Sequence, residues 1–281
     1  MTGNHSRRSF LQVGAAGLAT LGTAGNLQAT VAEGKRSKAL TLGMASYTFR
    51  KFPLEQALAM TRKTGVEKIA FKSMHLPLDS SPEQIAQVIQ KTKAAELDPY
   101  GCGVVYMNTE AEVQQAFDYA KAAGMKIIVG VPKHELLDAT EARVKQYDIR
   151  VAIHNHGPSD KLYPTPESVY EKIKGRDPRM GLCIDVGHTQ RSGIEPAKAV
   201  KDFANRLFDV HIKDVSAATA QGSTVEIGRG VIDIPALLTA LIGIKYNGVV
   251  ALEYEKDDNE PLPGSAESIG YLRGVLSVLP T

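Results

Sequence analysis

From Ala39 onward the chain repeats one alternation, a short apolar run followed by a longer amphipathic stretch, eight times over. The runs are Leu40–Ala45, Lys68–Phe71, Tyr100–Val105, Lys126–Val129, Arg150–His154, Met180–Asp185, Leu207–Ile212 and Gly248–Glu253. Most are rich in Val and Ile, so they read as strands buried on both faces, as in a parallel sheet. The stretches between carry helix punctuation. Leu54, Leu58 and Met60 begin a stripe after Pro53. Ser81-Pro82-Glu83 offers an N-cap with Pro at the first helical position. Val113, Phe117 and Ala120 stripe another helix, with Gly124 just past its end, and Pro166, Pro196 and Pro235 stand at three later starts. Strands alternating with helices over about 250 residues predict a single-domain (β/α)8 TIM barrel over residues 39–281. A doubly wound open sheet is the alternative, but it would place a glycine-rich turn after an early strand, and none is present.

The N-terminus has a different character. Residues 6–11 read Ser-Arg-Arg-Ser-Phe-Leu, followed by a mildly apolar Gly/Ala-rich stretch from Val13 to Gly25 and then Leu27-Gln28-Ala29. This resembles a twin-arginine export signal over residues 1–29, with residues 30–38 as a polar tether. The apolar stretch is well short of the roughly 20 residues that span a bilayer. The pattern implies export to the periplasm or beyond, with no membrane span once the leader is removed. Arg7 and Arg8 lie in that leader and no acid does, so the remainder carries 31 bases against 31 acids. A neutral body has no electrostatic footprint for nucleic acid. Cys102 and Cys183 are too few for a disulfide framework.

In TIM barrels the chemistry sits at the C-terminal ends of the strands. Four consecutive predicted strands end in polar residues: His154-Asn155-His156-Gly157, Asp185-Val186-Gly187-His188, His211-Ile212-Lys213-Asp214 and Leu252-Glu253-Tyr254-Glu255. From His154 to Asp185, to His211 and to Glu253 the gaps are 31, 26 and 42 residues, about one strand–helix unit or slightly more each. Neighbouring strands lie ~4.8 Å apart, so these four side chains can converge. Two imidazoles and two carboxylates suit one divalent ion such as Mn, Zn, Co or Fe, and ligands from four separate strands leave coordination positions open for substrate. Taken singly, each residue has a plainer role: a surface histidine, a helix cap, one charge of an acidic stretch.

Other polar residues fall at the same predicted mouth. His156 shares a strand face with His154 and reads as a partner or substrate donor. His188 is a candidate acid or hydroxyl ligand, and Lys213 a candidate stabiliser of a developing enolate. Lys72, His75, Tyr106, Lys133, His134 and Arg229 are further candidate substrate contacts.

On these motifs, together with Gly228-Arg229-Gly230-Val231-Ile232-Asp233, the chain resembles the xylose isomerase-like barrel superfamily of sugar phosphate isomerases and epimerases. The resemblance implies a single divalent cation, with Asp185, His211 and Glu253 on family ligand positions. His154 falls where the sugar epimerases place a glutamate, which lowers the ligand charge by one and removes one base of a two-carboxylate pair. Endonuclease IV, a distant member, needs further His and Asp ligands where this chain has Phe71-Lys72-Ser73, Val105-Tyr106-Met107 and Gly222-Ser223-Thr224. The resemblance implies a metal-dependent isomerase, epimerase or ketoglycoside lyase/hydratase that abstracts a proton next to a carbonyl, with Glu253 or a histidine as base. A metal-dependent hydrolase, or a sugar-binding accessory protein without catalysis, is the alternative.

Overall fold

The computed structural model describes residues 40–280; the expected leader, 1–29, and tether, 30–38, lie outside the described residues. Eight strands close into a parallel barrel: Thr41–Ala45, Lys68–Phe71, Asp98–Met107, Ile127–Pro132, Arg150–His154, Met180–Asp185, Leu207–Ile212 and Val249–Leu252, the last pairing with the first. The expected TIM barrel is therefore present. Strands Ile127–Pro132 and Met180–Asp185 are buried along their whole length. Their continuous apolar sequence follows from being covered on both faces. The third strand is longer than its apolar run, because Asp98, Pro99, Tyr106 and Met107 extend the pairing at its two ends.

The connecting helices begin where the punctuation places them. Ser81 caps Pro82–Ala94 in a reciprocal box with Gln84: the Gln84 N–H donates to Ser81 Oγ at 3.3 Å, and the Ser81 N–H donates to Gln84 Oε1 at 2.8 Å. Gly124 takes the left-handed conformation, φ +69°, just beyond Glu110–Ala122. Pro166, Pro196 and Pro235 all lie in the first turn of a helix. After the sixth strand two short helices, Val186–Arg191 and Pro196–Asp202, stand where one would suffice.

Two loop devices position the mouth. After the seventh strand Asp214–Val215 pairs antiparallel with Thr224–Val225. The buried Asp214 carboxylate then accepts four backbone N–H groups: Val215 at 2.9 Å and Ile232 at 3.2 Å on Oδ1, Gly228 and Gly230 at 3.0 Å each on Oδ2. A Cβ on Gly230 would stand 2.1 Å from Asp214 Oδ1, so only glycine lets the backbone come this close. Across the barrel seam, Thr48 Oγ1 donates to Leu252 O at 3.3 Å and accepts from the Tyr254 N–H at 3.0 Å, clamping the end of the eighth strand around Glu253. Among the described residues no helix is long and apolar enough to cross a membrane.

Candidate metal centre

Barrel register brings the four strand ends to one place. Asp185 lies directly beside His211, His154 beside Cys183, and Ala251 beside His211. Residues two apart share a face, so Asp185 stands one layer above Cys183, and Glu253 one layer above Ala251. The result is that His154, Asp185, His211 and Glu253 each offer a ligand atom within 4.8 Å of the others. All four are buried. His154 Nε2 is 3.4 Å from Asp185 Oδ2, and His211 Nδ1 is 3.4 Å from Glu253 Oε2.

Several of these atoms have no hydrogen-bond partner: His154 Nε2, Asp185 Oδ2, and both nitrogens of His211. A buried polar atom left unpaired costs roughly 1–3 kcal/mol, so a group of them in one spot marks a place shaped for a ligand. The donor set, two nitrogens and two oxygens, fits a divalent first-row ion.

Lys213 sets the charge of the centre. Its Nζ donates to Glu253 Oε2 at 2.7 Å and to Glu255 Oε2 at 3.1 Å, and lies 3.0 Å from Asp185 Oδ2 without hydrogen-bond direction. Gly187 makes room for it, since a Cβ there would sit 2.4 Å from Lys213 Cγ. Burial, the largest single influence, pushes the Asp185 and Glu253 carboxyls up, but the Lys213 ammonium together with the neighbouring histidines outweighs it and holds both well below the usual carboxylate range. Burial would likewise push Lys213 down; Asp185, Glu253 and Glu255 hold it well above the ordinary value. For His154 burial wins, and the ring stays neutral with a lone pair to give.

The strand ends are also aligned by their own neighbours. The Asp185 N–H donates to Asn155 Oδ1 at 3.0 Å, and Asn155 Nδ2 donates to Thr189 Oγ1 at 3.2 Å. Asp185 Oδ1 accepts the His188 N–H at 2.8 Å and so caps the helix Val186–Arg191. The cap occupies Oδ1 and leaves Oδ2 as the oxygen open to a ligand.

Around this core the structure sorts the remaining candidates. His156 lies behind His154, with their Nδ1 atoms 3.4 Å apart, and its Nε2 meets Tyr106 Oη at 3.0 Å. Tyr106 is half exposed. His188 stands at the rim, its ring centre 6.1 Å from that of His154 and 5.9 Å from that of His156. Lys72 donates to Val104 O at 2.5 Å and sits between the Tyr47 and Tyr106 rings. Three other candidates are engaged elsewhere. His75 contacts Phe52 O at 3.0 Å, and His134 contacts Leu162 O at 3.1 Å. Arg229 is drawn off by Glu267, at 2.6 and 2.9 Å. Among the described residues Lys133 contributes its backbone N–H, to Met107 O.

Residues 46–275 match the family described as xylose isomerase-like TIM barrel. The chain belongs to that family. Similar curated proteins include the rhizopine catabolism protein MocC of Rhizobium meliloti, 28% identical over 152 residues, which are 49% of this chain and 46% of MocC. An inosose dehydratase of Geobacillus kaustophilus is 26% identical over 129 residues, 40% of this chain and 41% of that protein. The chain thus spans less than half the length of these two relatives. An inosose isomerase of Bacillus velezensis is 23% identical over 238 residues, 73% of this chain and 85% of the relative. Among solved structures, an uncharacterized protein from Parabacteroides distasonis superposes with a TM-score of 0.65 at 27% identity, over 84% of this chain and 98% of that one.

Three residues of the centre escape the sequence reading. Glu255 is signalled only by its spacing of two from Glu253, Asn155 only by lying between two histidines, and Cys183 by sharing the inward face of Asp185.

Proposed function

We propose that this chain is a divalent-metal-dependent enzyme that breaks a carbon–hydrogen bond beside the carbonyl of a keto-sugar or keto-cyclitol, leading to dehydration or isomerisation. The observation that carries this reading is the buried convergence of His154, Asp185, His211 and Glu253 with unpaired atoms facing one another. The relatives named inosose dehydratase and inosose isomerase support it, because both reaction types begin with proton loss next to a carbonyl. Held by these four residues, a divalent ion would supply Lewis-acid polarisation of a substrate carbonyl and its neighbouring hydroxyl.

The chain's own groups divide the remaining work. Glu253 is kept anionic by Lys213 at 2.7 Å and is a weak base. Lys213 is engaged by three carboxylates, so it tunes those acids instead of meeting developing charge directly. The proton carriers are the histidines outside the ligand set. Burial, and then His188, lower the His156 pKa, so its ring is neutral and can take a proton at physiological pH. Its contact with the half-exposed Tyr106 Oη gives that proton a path between substrate and ring. His188, on the rim beside it, is the second carrier, returning a proton to a departing hydroxyl or to the adjacent carbon. The substitution of imidazole for a fifth-strand glutamate favours elimination over a symmetrical two-carboxylate epimerisation. On the leader pattern alone, the same proposal places this work outside the cytoplasm.

The test is direct. Protein stripped of metal and reloaded with Mn, Zn, Co or Fe is incubated with keto-sugars and keto-cyclitols in deuterated water and followed by NMR. Solvent deuterium should enter the carbon beside the carbonyl, with water loss or an isomer as product. Neither deuterium nor product, with any ion, rejects the reading.

A further inference from the structure

Cys183 takes no part in the chemistry proposed above, yet it sits directly beneath it. It precedes Asp185 by two residues on the inward face of the sixth strand, and its in-register neighbour across the sheet is His154. Cys183, His154 and His211 each offer a ligand atom within 4.8 Å of the other two, and all three are buried. Neither nitrogen of His211 nor Nε2 of His154 has a hydrogen-bond partner. Two buried imidazoles thus flank a sulfur.

We infer that His154, Cys183 and His211 form a second metal site, one layer below the four-residue centre, selective for soft closed-shell ions such as Cu(I) or Cd(II). The donor chemistry separates the two sites. Two carboxylates above suit the harder divalent ions; two imidazoles and a thiolate below suit a thiophilic ion in trigonal coordination. Zinc bonds such donors at about 2.0 Å to nitrogen and 2.3 Å to sulfur, and bonds on that scale reach across the observed span with small inward shifts. Binding forms the sulfur–ion bond and releases the thiol proton to solvent. Because His154 and His211 belong to both sets, the two sites exclude each other, and a soft ion would silence the upper one. The lower site rests on these residues alone and stands whether or not the sugar chemistry does.

Full-length protein freed of metal and titrated with Cd2+ under reducing, oxygen-free conditions provides the test. We expect a thiolate-to-cadmium charge-transfer band that saturates at one equivalent. It should vanish in Cys183→Ala and persist in Cys102→Ala and in Glu253→Gln. Bound Cd2+ without the band in wild-type protein, or a band surviving in Cys183→Ala, overturns the site. Should Cys183→Ala fail to fold, the cadmium-113 chemical shift of the wild-type complex decides, because thiolate ligation and nitrogen–oxygen ligation fall in separate ranges. Cd2+-loaded protein should take up no Mn2+ by electron paramagnetic resonance; uptake overturns the mutual exclusion.

Discussion

Asp209 and Asp185 are both completely buried acids of the barrel strands, the first towards the N-terminal end and the second at the mouth. Asp209 is met by neutral donors. Tyr100 Oη reaches Oδ2 at 3.1 Å and the Val210 N–H reaches Oδ1 at 2.8 Å, so both oxygens are used. Burial then dominates and raises its pKa to about 6. Asp185 is met by the ammonium of Lys213, stays ionised, and keeps Oδ2 free of hydrogen bonds. One barrel thus offsets the same desolvation cost in two ways. Hydroxyl and amide partners offset it only in part and leave a structural acid whose pKa burial still raises; an ammonium, with histidines beside it, leaves an anion with a lone pair to spare. Only the second leaves a carboxylate oxygen free of hydrogen bonds.

The sharpest way to break this contrast is Lys213→Met. It leaves Asp185 and Glu253 facing each other without their shared counter-charge. Removing one partner of a buried ion pair typically costs about 3–5 kcal/mol. We expect a loss of that size in urea denaturation of metal-free protein, largely recovered when Mn2+ or Zn2+ is added. No loss in the metal-free state would mean that the mouth acids are not held as anions by Lys213.

Asp209→Asn probes the other end through its pH dependence. The folded pKa, about 6, lies above the ordinary 3.8. Between these values the folded state binds more protons than the unfolded one, so this residue makes stability fall as pH rises from about 4 to about 6, with the penalty complete above that. A pKa of about 6 in place of 3.8 corresponds to at most about 3 kcal/mol. Asp209→Asn should flatten that component of the pH–stability curve of metal-free protein. An unchanged slope would show that Asp209 ionises as freely as an exposed acid.

The mouth's half of this contrast was legible in the sequence, and the part that was not has a physical reason. Runs buried on both faces announce parallel strands, and barrel closure forces consecutive strand ends together. His154, Asp185, His211 and Glu253 could therefore be grouped by spacing alone. Side chains beyond a strand end have no such constraint. His75, His134 and Arg229 fall at the expected level, but each turns to a partner supplied by another loop or by the last helix, which no spacing encodes. Lys213 was legible as a mouth residue but not as the hub of three carboxylates, because that depends on Glu255 turning inward and on the clearance left by Gly187. Cys183 was hidden by its apolar surroundings; its meaning depends on register with His154.

Arg229→Gln yields the smallest expected effect and fixes how far the reactive end extends. The Gly228–Asp233 loop is held by its backbone N–H groups on Asp214, and the Arg229 side chain, 62% exposed, pairs with Glu267 on the helix Pro261–Val278. Exposed pairs of this kind contribute little to stability. Divalent-ion affinity by calorimetry and turnover of whatever substrate the deuterium assay identifies should both match wild type. Gly230→Ala, one residue on, should not, because its Cβ would displace Asp214 from the four N–H groups it organises. A fall in turnover for Arg229→Gln, with the fold and ion affinity intact, would carry the reactive end outward to the loop and require Arg229 to leave Glu267 when substrate binds.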